Sequence, residues 1–587
     1  MMKESNETQS VRSLSAGMEK QKKLWQDDRS YRKRFIFALI VLFAVCFTFL
    51  FFGPMEITAY GQSSLVFNFD TGLPVMAAFA VGVCIVGALV LAIFRGRIFD
   101  YILTAVFSLL LCGYIQGNFL NGKQVGALMG DSIQWSAQKT SMTLNLLIWL
   151  LVFLVPFFVL YFSKKVWKKT LIYISAALVV MQGVAFVTMF TSGTVSAGSN
   201  KSHYLSTKDE SVYSSKHNTL VFLLDRLDYD NIEEIKREEP HFFDRLDGFT
   251  SYDNAISNHC RTIPAINYLF TNCDSLLWKV PQEQYLEQSW DYGGKNILKD
   301  IKANNYTLDF YTDINCMFAS GDTVQNYVSN LPKSVDNLSR KSLVRNLCNL
   351  SGYRYLPVAL KPFFWCYSDD VNNNIFKSNN MYKIDETQYD KIGGFSKTDS
   401  TNYFKYYHFM GSHNPYTVNV NGIRTGSTDV ISQTKGNFQI LYRAFAKMKK
   451  LGVYDNSTII ILGDHGDIGD NYQPLAKATR IGFFYKPAGR EGTPLKASKA
   501  PISFINMPAT FAKSAGVKDY HKYGKPIDEV GENDQVTRYY HRALYGYYSG
   551  ARHEKYLLTY QIDGDAALFK NWKLKNSEVI KQNCWYA

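Results

Sequence analysis

Thr219-Leu-Val-Phe-Leu-Leu-Asp225 and Thr458-Ile-Ile-Ile-Leu-Gly-Asp-His-Gly-Asp467 are short apolar runs that each stop at an acid. A run of this length, without alternation, reads as a strand buried on both faces. Tyr306–Tyr311 and Ile481–Tyr485 read as further strands, and helical periodicity lies between such runs, as over Asn437–Lys450. Strands alternating with helices predict an α/β domain around a central, largely parallel sheet. Such sheets bind ligands beyond the carboxyl ends of their strands, so Asp225 and Asp464 are expected to open into one cleft.

Upstream of Thr219 the character of the chain changes. Over all 587 residues, 47% are apolar and 20% charged, which excludes wholesale disorder. The apolar residues concentrate in Phe35–Phe52, Pro74–Phe94, Ile98–Gly117, Thr143–Phe162 and Leu171–Phe190. Each is long enough for a membrane span, which takes about 20 residues. The third is the weakest, because Asp100 lies near its start. A polar arm precedes the first and no small-residue cleavage site follows it, so a cleaved signal peptide is a poor reading. A purely cytosolic enzyme is excluded, and so is a transporter built wholly of membrane helices.

Basic residues set the expected orientation. Lys20, Lys22, Lys23, Arg32, Lys33 and Arg34 precede the first span, Arg95 and Arg97 join spans two and three, and Lys164, Lys165, Lys168 and Lys169 join four and five. The loop from Gly53 to Leu73 has no Lys or Arg, and that from Asn118 to Met142 has only Lys123 and Lys139. The expectation is a multi-pass protein of the plasma membrane, N-terminus in the cytoplasm, with the long C-terminal half outside. Much of the net charge of +13 is this topology signal and gives no reason to expect a nucleic-acid partner. The expected organisation is a basic arm (1–34), a five-helix membrane domain (35–190), a Ser/Thr/Lys/Gly-rich linker or juxtamembrane segment (191–218) and an extracytoplasmic domain (219–587). Few ionisable residues lie within the spans, which favours an anchor over an ion path. Of the cysteines, Cys46, Cys84 and Cys112 fall in spans, and Cys260, Cys273, Cys316, Cys348, Cys366 and Cys584 fall outside them. None has zinc-type spacing, and Cys260 and Cys273 are candidates to staple the segment between them.

Four segments carry candidate chemistry. Asp225 is either a metal ligand or a cap for the next helix. Asp464 and His465 are neighbours, and neighbours on a regular strand face opposite ways. They reach one ion only if the chain turns there, as Gly463 and Gly466 permit; a solvated turn is the plain alternative. Carboxylate plus imidazole suits one divalent metal, manganese or zinc. In Asn258-His-Cys-Arg-Thr-Ile-Pro-Ala-Ile-Asn-Tyr-Leu-Phe-Thr271, Pro264 suits the first turn of a helix. Thr262 then stands at a helix N-terminus, either as its cap or as a metal-activated nucleophile beside N–H groups that favour an anion. In His408-Phe-Met-Gly-Ser-His413-Asn-Pro-Tyr416, His413 suits a loop at the cleft, where it would bind a phosphate oxygen or protonate a leaving group. His408 is expected to end a strand and pack inside. Arg226 and Arg261 each either touch a substrate phosphate or pair with a carboxylate, and Asp228 follows closely enough to join the site.

Together these segments resemble the alkaline phosphatase/sulfatase superfamily, and within it the membrane-anchored phosphoglycerol and phosphoethanolamine transferases such as lipoteichoic acid synthase. The resemblance runs from about Thr219 to about Tyr560, and the five-span anchor agrees with it. It implies that Asp225, Thr262, Asp464 and His465 hold the metal, that Thr262 is the nucleophile and that His413 binds substrate. It further implies a membrane phospholipid as donor of a head group and an envelope glycan or glycolipid as acceptor. The chain departs from the pattern in two places. Lipoteichoic acid synthase-like chains usually carry Glu at the position of Asp225. Many sulfatase-like chains carry Cys or Ser in Cys/Ser-x-Pro-x-Arg, converted to formylglycine, where this chain has Thr262-Ile-Pro264-Ala-Ile266. Threonine cannot make formylglycine, which disfavours sulfate-ester hydrolysis by that route. A phosphodiesterase with the same nucleophile, and a non-catalytic envelope-binding protein, are the competing readings.

Overall fold

A computed structural model gives the fold and describes residues 29–61, 69–121, 135–192, 204–274, 279–319, 321–332, 338–366, 381–391, 394–544 and 554–580, with positions 65, 67, 195, 371, 372 and 375. By its internal contacts the chain falls into two units, residues 1–200 with 335–379 and residues 201–334 with 380–587.

The first unit contains helices Tyr31–Tyr60, Phe69–Ile93, Gly96–Leu120, Lys139–Phe162 and Lys164–Thr191, each long and apolar enough to cross a membrane. Asp100 does not weaken the third. It is buried between Arg29 (2.8 Å) and Lys164 (2.6 Å), where two cations offset the cost of burying its charge. At the opposite end of that helix, Gln116 Oε1 accepts from Asn145 Nδ2 (2.7 Å) and Trp149 Nε1 (2.9 Å). The same end receives the helix Arg340–Tyr355, which comes from the middle of the stretch expected to form the outer domain. Cβ atoms added at Gly53 and Gly117 would each stand 2.4 Å from the Tyr355 ring, so only glycine lets that ring seat. Ser351 Oγ donates to Phe49 O (2.6 Å), Asn121 Nδ2 to Arg354 O (3.0 Å) and Val358 N–H to Asn145 Oδ1 (2.9 Å).

The second unit is the α/β domain the sequence predicts. Its strands are β1 (Val212–Ser214), β2 (Asn218–Leu224), β3 (Thr250–Tyr252), β4 (Tyr306–Tyr311), β5 (Ser396–Thr398), β6 (Asn402–Phe409), β7 (Ser457–Leu462), β8 (Phe483–Lys486), β9 (Lys496–Ser498), β10 (Thr537–Leu544), β11 (Lys555–Asp563) and β12 (Trp572–Ile580). Seven form a sheet in the order β4-β6-β2-β7-β8-β3-β9. It is parallel except for β8, which pairs antiparallel with both neighbours. β2 is buried at every position, as its unbroken apolar run requires. Val221 and Leu223 enter the core on one face of the sheet, and Leu220, Phe222 and Leu224 enter that on the other. Helix Val430–Leu451 covers the second face through residues such as Phe438, Leu441 and Phe445. β10, β11 and β12 form a separate antiparallel sheet, and β1 pairs in parallel with β5. Much of the first half of the expected 191–218 linker lies outside the described residues, and β1 occupies part of its second half.

Candidate active site

Strand register assembles the site. Leu223 of β2 stands opposite His408 of β6 and Leu462 of β7, so the residues that follow leave the sheet side by side. The chain turns sharply after Asp225. Arg226 is held at φ +57, a left-handed conformation costly for a side-chain-bearing residue, and its N–H thereby reaches Asp464 Oδ1 (2.7 Å). The loop after β6 straps Asp225 from the other side. Asp225 N–H donates to Phe409 O (3.0 Å), and Ser412 N–H donates to Asp225 O (2.8 Å). Gly411 passes at φ +56, and a Cβ there would lie 2.5 Å from Asp225 N.

Asp225, Asp464 and His465, all buried, each offer a ligand atom within 4.8 Å of the others. Among the described residues Asp225 Oδ1 and Asp464 Oδ2 have no hydrogen-bond partner, a costly state for buried acceptors. A divalent cation supplies what both oxygens lack, and two carboxylates with one imidazole fit manganese or zinc. His465 is oriented for this. Its Nδ1 lies 2.8 Å from Gly466 O, which can only accept, so the proton sits on Nδ1 and Nε2 is left as a ligand atom. Burial and the Asp225 charge push the Asp464 carboxyl up. Burial acts on Asp225 in the same sense, but the His408 hydrogen bond and the charges of His408, His413 and His465 outweigh it and hold Asp225 below its ordinary value.

His408, one residue before the end of β6, packs inside, and there it adds to the site. Its Nε2 lies 3.4 Å from Asp225 Oδ2 and its Nδ1 lies 3.1 Å from Thr312 Oγ1. Only the parallel pairing of β2 with β6 places it there, so the one-dimensional pattern gives no signal for it. His413 is half-buried, with Nδ1 2.5 Å from Asn414 O, and its charge bears on Asp225.

Thr262 is the first residue of helix Thr262–Thr271, with Pro264 in the first turn as the sequence predicts. It is half-buried, and the capping position falls to Arg261. Arg261 donates to Asn471 Oδ1 (2.9 Å), which ties this segment to the loop after Asp464 and His465. Arg226 pairs with Asp467 of the same loop at 3.3 Å. Asp228 braces that loop as well. It accepts from Asp467 N–H and from Asp230 N–H (2.6 Å), and burial pushes its carboxyl up to about 6. Gly466 is needed for the close approach, since a Cβ there would lie 2.5 Å from Arg480 O. Cys260 is a buried thiol whose Sγ accepts the Ala543 N–H (3.3 Å), so no bridge staples it to Cys273.

A family model described as Sulfatase matches residues 217–517, more than half of the chain. No curated protein matches the chain. Among solved structures, the phosphonate monoester hydrolase from Silicibacter pomeroyi is similar at 12% identity over 62% of this chain and 89% of its own, with a TM-score of 0.35. A protein in the alkaline phosphatase superfamily from Vibrio parahaemolyticus gives 14%, 65%, 85% and 0.33, in the same order. A putative sulfatase from Bacteroides fragilis gives 14%, 63%, 90% and 0.37. Membership rests on the family model and not on these likenesses: the chain belongs to the sulfatase family.

Proposed function

We propose that the chain is a membrane-anchored, metal-dependent phosphotransferase, resembling lipoteichoic acid synthase, that moves a phosphoglycerol head group from a phospholipid to a hydroxyl of an envelope glycan or glycolipid. The observation that carries the reading is the convergence of Asp225, Asp464 and His465, with two buried carboxylate oxygens that have no hydrogen bond among the described residues. Threonine in place of the formylglycine precursor, and five helices apolar enough to span a membrane, support it further. The alternation of basic and base-poor loops supports a cytoplasmic N-terminus and an extracytoplasmic site.

Asp225, Asp464 and His465 would hold the divalent ion, with the Thr262 hydroxyl as a further ligand. Such an ion lowers the pKa of a bound hydroxyl and offsets charge on a phosphoryl group. Thr262 Oγ1 forms a bond to the phosphorus of the lipid head group, and the phosphorus–oxygen bond to diacylglycerol breaks. The threonine proton ends on the departing alkoxide, with His413 as the group that delivers it. Helix N–H groups behind Thr262 stabilise the charge that builds on phosphorus. The acceptor hydroxyl oxygen then bonds to phosphorus as the Thr262 Oγ1–phosphorus bond breaks, and the acceptor's proton passes to Thr262. Arg226, next to the metal ligand Asp225, and Arg261, next to the nucleophile Thr262, bind the phosphate oxygens of the donor.

The test is incubation of the purified protein with head-group-labelled phosphatidylglycerol, with and without a glycan acceptor. Label on the acceptor, diacylglycerol release beyond one equivalent of protein only when acceptor is present, and loss of both in Thr262→Ala are expected. Free glycerophosphate formed at the same rate without acceptor would make the enzyme a hydrolase. Label transferred only from phosphatidylethanolamine would change the head group.

A further inference from the structure

The eight residues of β10 contact both the segment that carries Thr262 and the loop that follows β7. On one side, β10 meets the Thr262 segment through its main chain. Cys260 N–H donates to His541 O (3.1 Å), His541 N–H donates to Asn258 O (2.8 Å), and Ala543 N–H reaches Cys260 Sγ. Successive strand residues point to opposite faces, so Arg542 between these two is directed elsewhere. It reaches the loop that runs without regular structure from Gly463 to Arg480 and carries Asp464, His465 and Asp467.

Arg542 is 1% exposed. Its Nε and Nη2 donate to Gln473 O (3.0 and 2.9 Å), Nη1 donates to Ile468 O and Nη2 also to Asp470 O. These acceptors are main-chain carbonyls, with no carboxylate among them. Burying a guanidinium on carbonyls alone is costly, and apolar residues of similar volume commonly serve a core as well or better. What the arginine adds is geometry, because its planar fork fixes several carbonyls of one irregular loop at once. Tyr560 of β11 extends the grip, its hydroxyl accepting from Leu475 N–H (2.9 Å).

We propose that Arg542 is a positioning residue that sets the loop bearing Asp464 and His465 against the segment bearing Thr262. The proposal rests on the reading of these residues as one metal-dependent site. Arg542 touches neither substrate nor reacting atoms. It acts through Ile468, Asp470 and Gln473, and the main chain of its neighbours fixes the opposing segment.

Arg538 provides the internal control. It lies on the same strand, is 2% exposed, and likewise donates to carbonyls, those of Asn254, Ile502 and Gly564. None of those belongs to the metal-site loop. The full-length protein, as wild type, Arg542→Gln and Arg538→Gln, is compared by thermal unfolding, manganese binding and amide hydrogen exchange. Both variants lose stability. Arg542→Gln weakens manganese binding by about 10-fold or more, the usual effect of removing a support behind metal ligands. It also accelerates exchange over residues 466–475. Arg538→Gln does neither. Equal manganese affinity and equal loop exchange in the two variants would overturn the proposal. Should the wild type bind no manganese or zinc, the reading of the site fails, and the exchange comparison still decides the role of Arg542.

Discussion

Asp464 is fully buried beside Asp225, and two carboxylates held together without a cation repel one another. This gives Asp464→Asn an effect whose sign depends on the metal. In metal-free protein the substitution removes the repulsion and raises the melting temperature. With manganese or zinc present, wild type gains stability by mass action, about 2.7 kcal/mol at a concentration 100 times the dissociation constant, and the variant does not. Thermal unfolding of both proteins, with chelator and with metal, checks this. His259 gives a second prediction. It is 1% exposed, stacks on His541 (ring centroids 5.1 Å apart) and has no hydrogen-bond partner for either ring nitrogen among the described residues. Burial, aided by His541 and opposed by Asp274, holds its pKa well below the ordinary 6.5. The unfolded chain therefore takes up this proton first as pH falls, so stability present above pH 6.5 is lost on acidification. His259→Phe, which keeps an aromatic ring and removes two unsatisfied nitrogens, is expected to narrow the fall in melting temperature between pH 7 and about 5. An unchanged pH dependence would mean that His259 does not stay neutral in the fold.

Among elements, the ends of β2, β6 and β7 are where the site is made, and Gly411 sits against the main chain of Leu224 and Asp225 there. Its positive φ and the 2.5 Å approach to Asp225 N leave an added methyl nowhere to go, since the obstructing atoms are backbone. Gly411→Ala is expected to cost ~1–3 kcal/mol and to weaken metal binding by displacing Asp225. Denaturant unfolding and metal titration of the variant check both effects. This scale also separates what the sequence discloses from what it conceals. The acids at the ends of β2 and β7 are legible because an unbroken apolar run followed by Asp has few other readings. The start of the Thr262 helix is legible because Pro264 suits few other positions in a helix. His408 is concealed because its role depends on the register with β2, and a strand that reads Asn402-Tyr-Phe-Lys-Tyr-Tyr-His-Phe409 offers no outward sign of which neighbour it will have. Arg542 is concealed for the same reason. Basic residues on a strand usually face water, and nothing local reveals that this one is covered by a loop some seventy residues upstream, at Ile468 to Gln473.

The molecule divides into two units, and the division does not follow the order of the chain. Residues 338–366 lie within the span matched by the family model yet belong to the unit of the apolar helices. Their pattern, with Leu343, Leu347 and Leu350 at helical spacing, is that of any core helix. The glycines that receive Tyr355, Gly53 and Gly117, lie 302 and 238 residues upstream, so the sequence cannot announce which core the helix joins. The consequence is testable. A protein of residues 201–587 keeps this segment but loses what covers Leu343, Leu347, Leu350, Tyr353 and Tyr355, and is expected to aggregate or to require detergent. Replacing 335–379 in it with a Gly/Ser linker is expected to restore a monodisperse soluble domain, as judged by light scattering. Insolubility of both forms would show that apolar surface elsewhere in the α/β unit is responsible. The proposed activity depends on Thr262 as the nucleophile of a metal-dependent transfer. The most direct measurement is intact-mass and peptide-mass analysis of the protein after exposure to phosphatidylglycerol and metal without acceptor. An added phosphoglycerol unit on Thr262, absent in Asp464→Asn and discharged by an acceptor glycan, is the predicted result; an unmodified Thr262 in protein that is turning over lipid would contradict it.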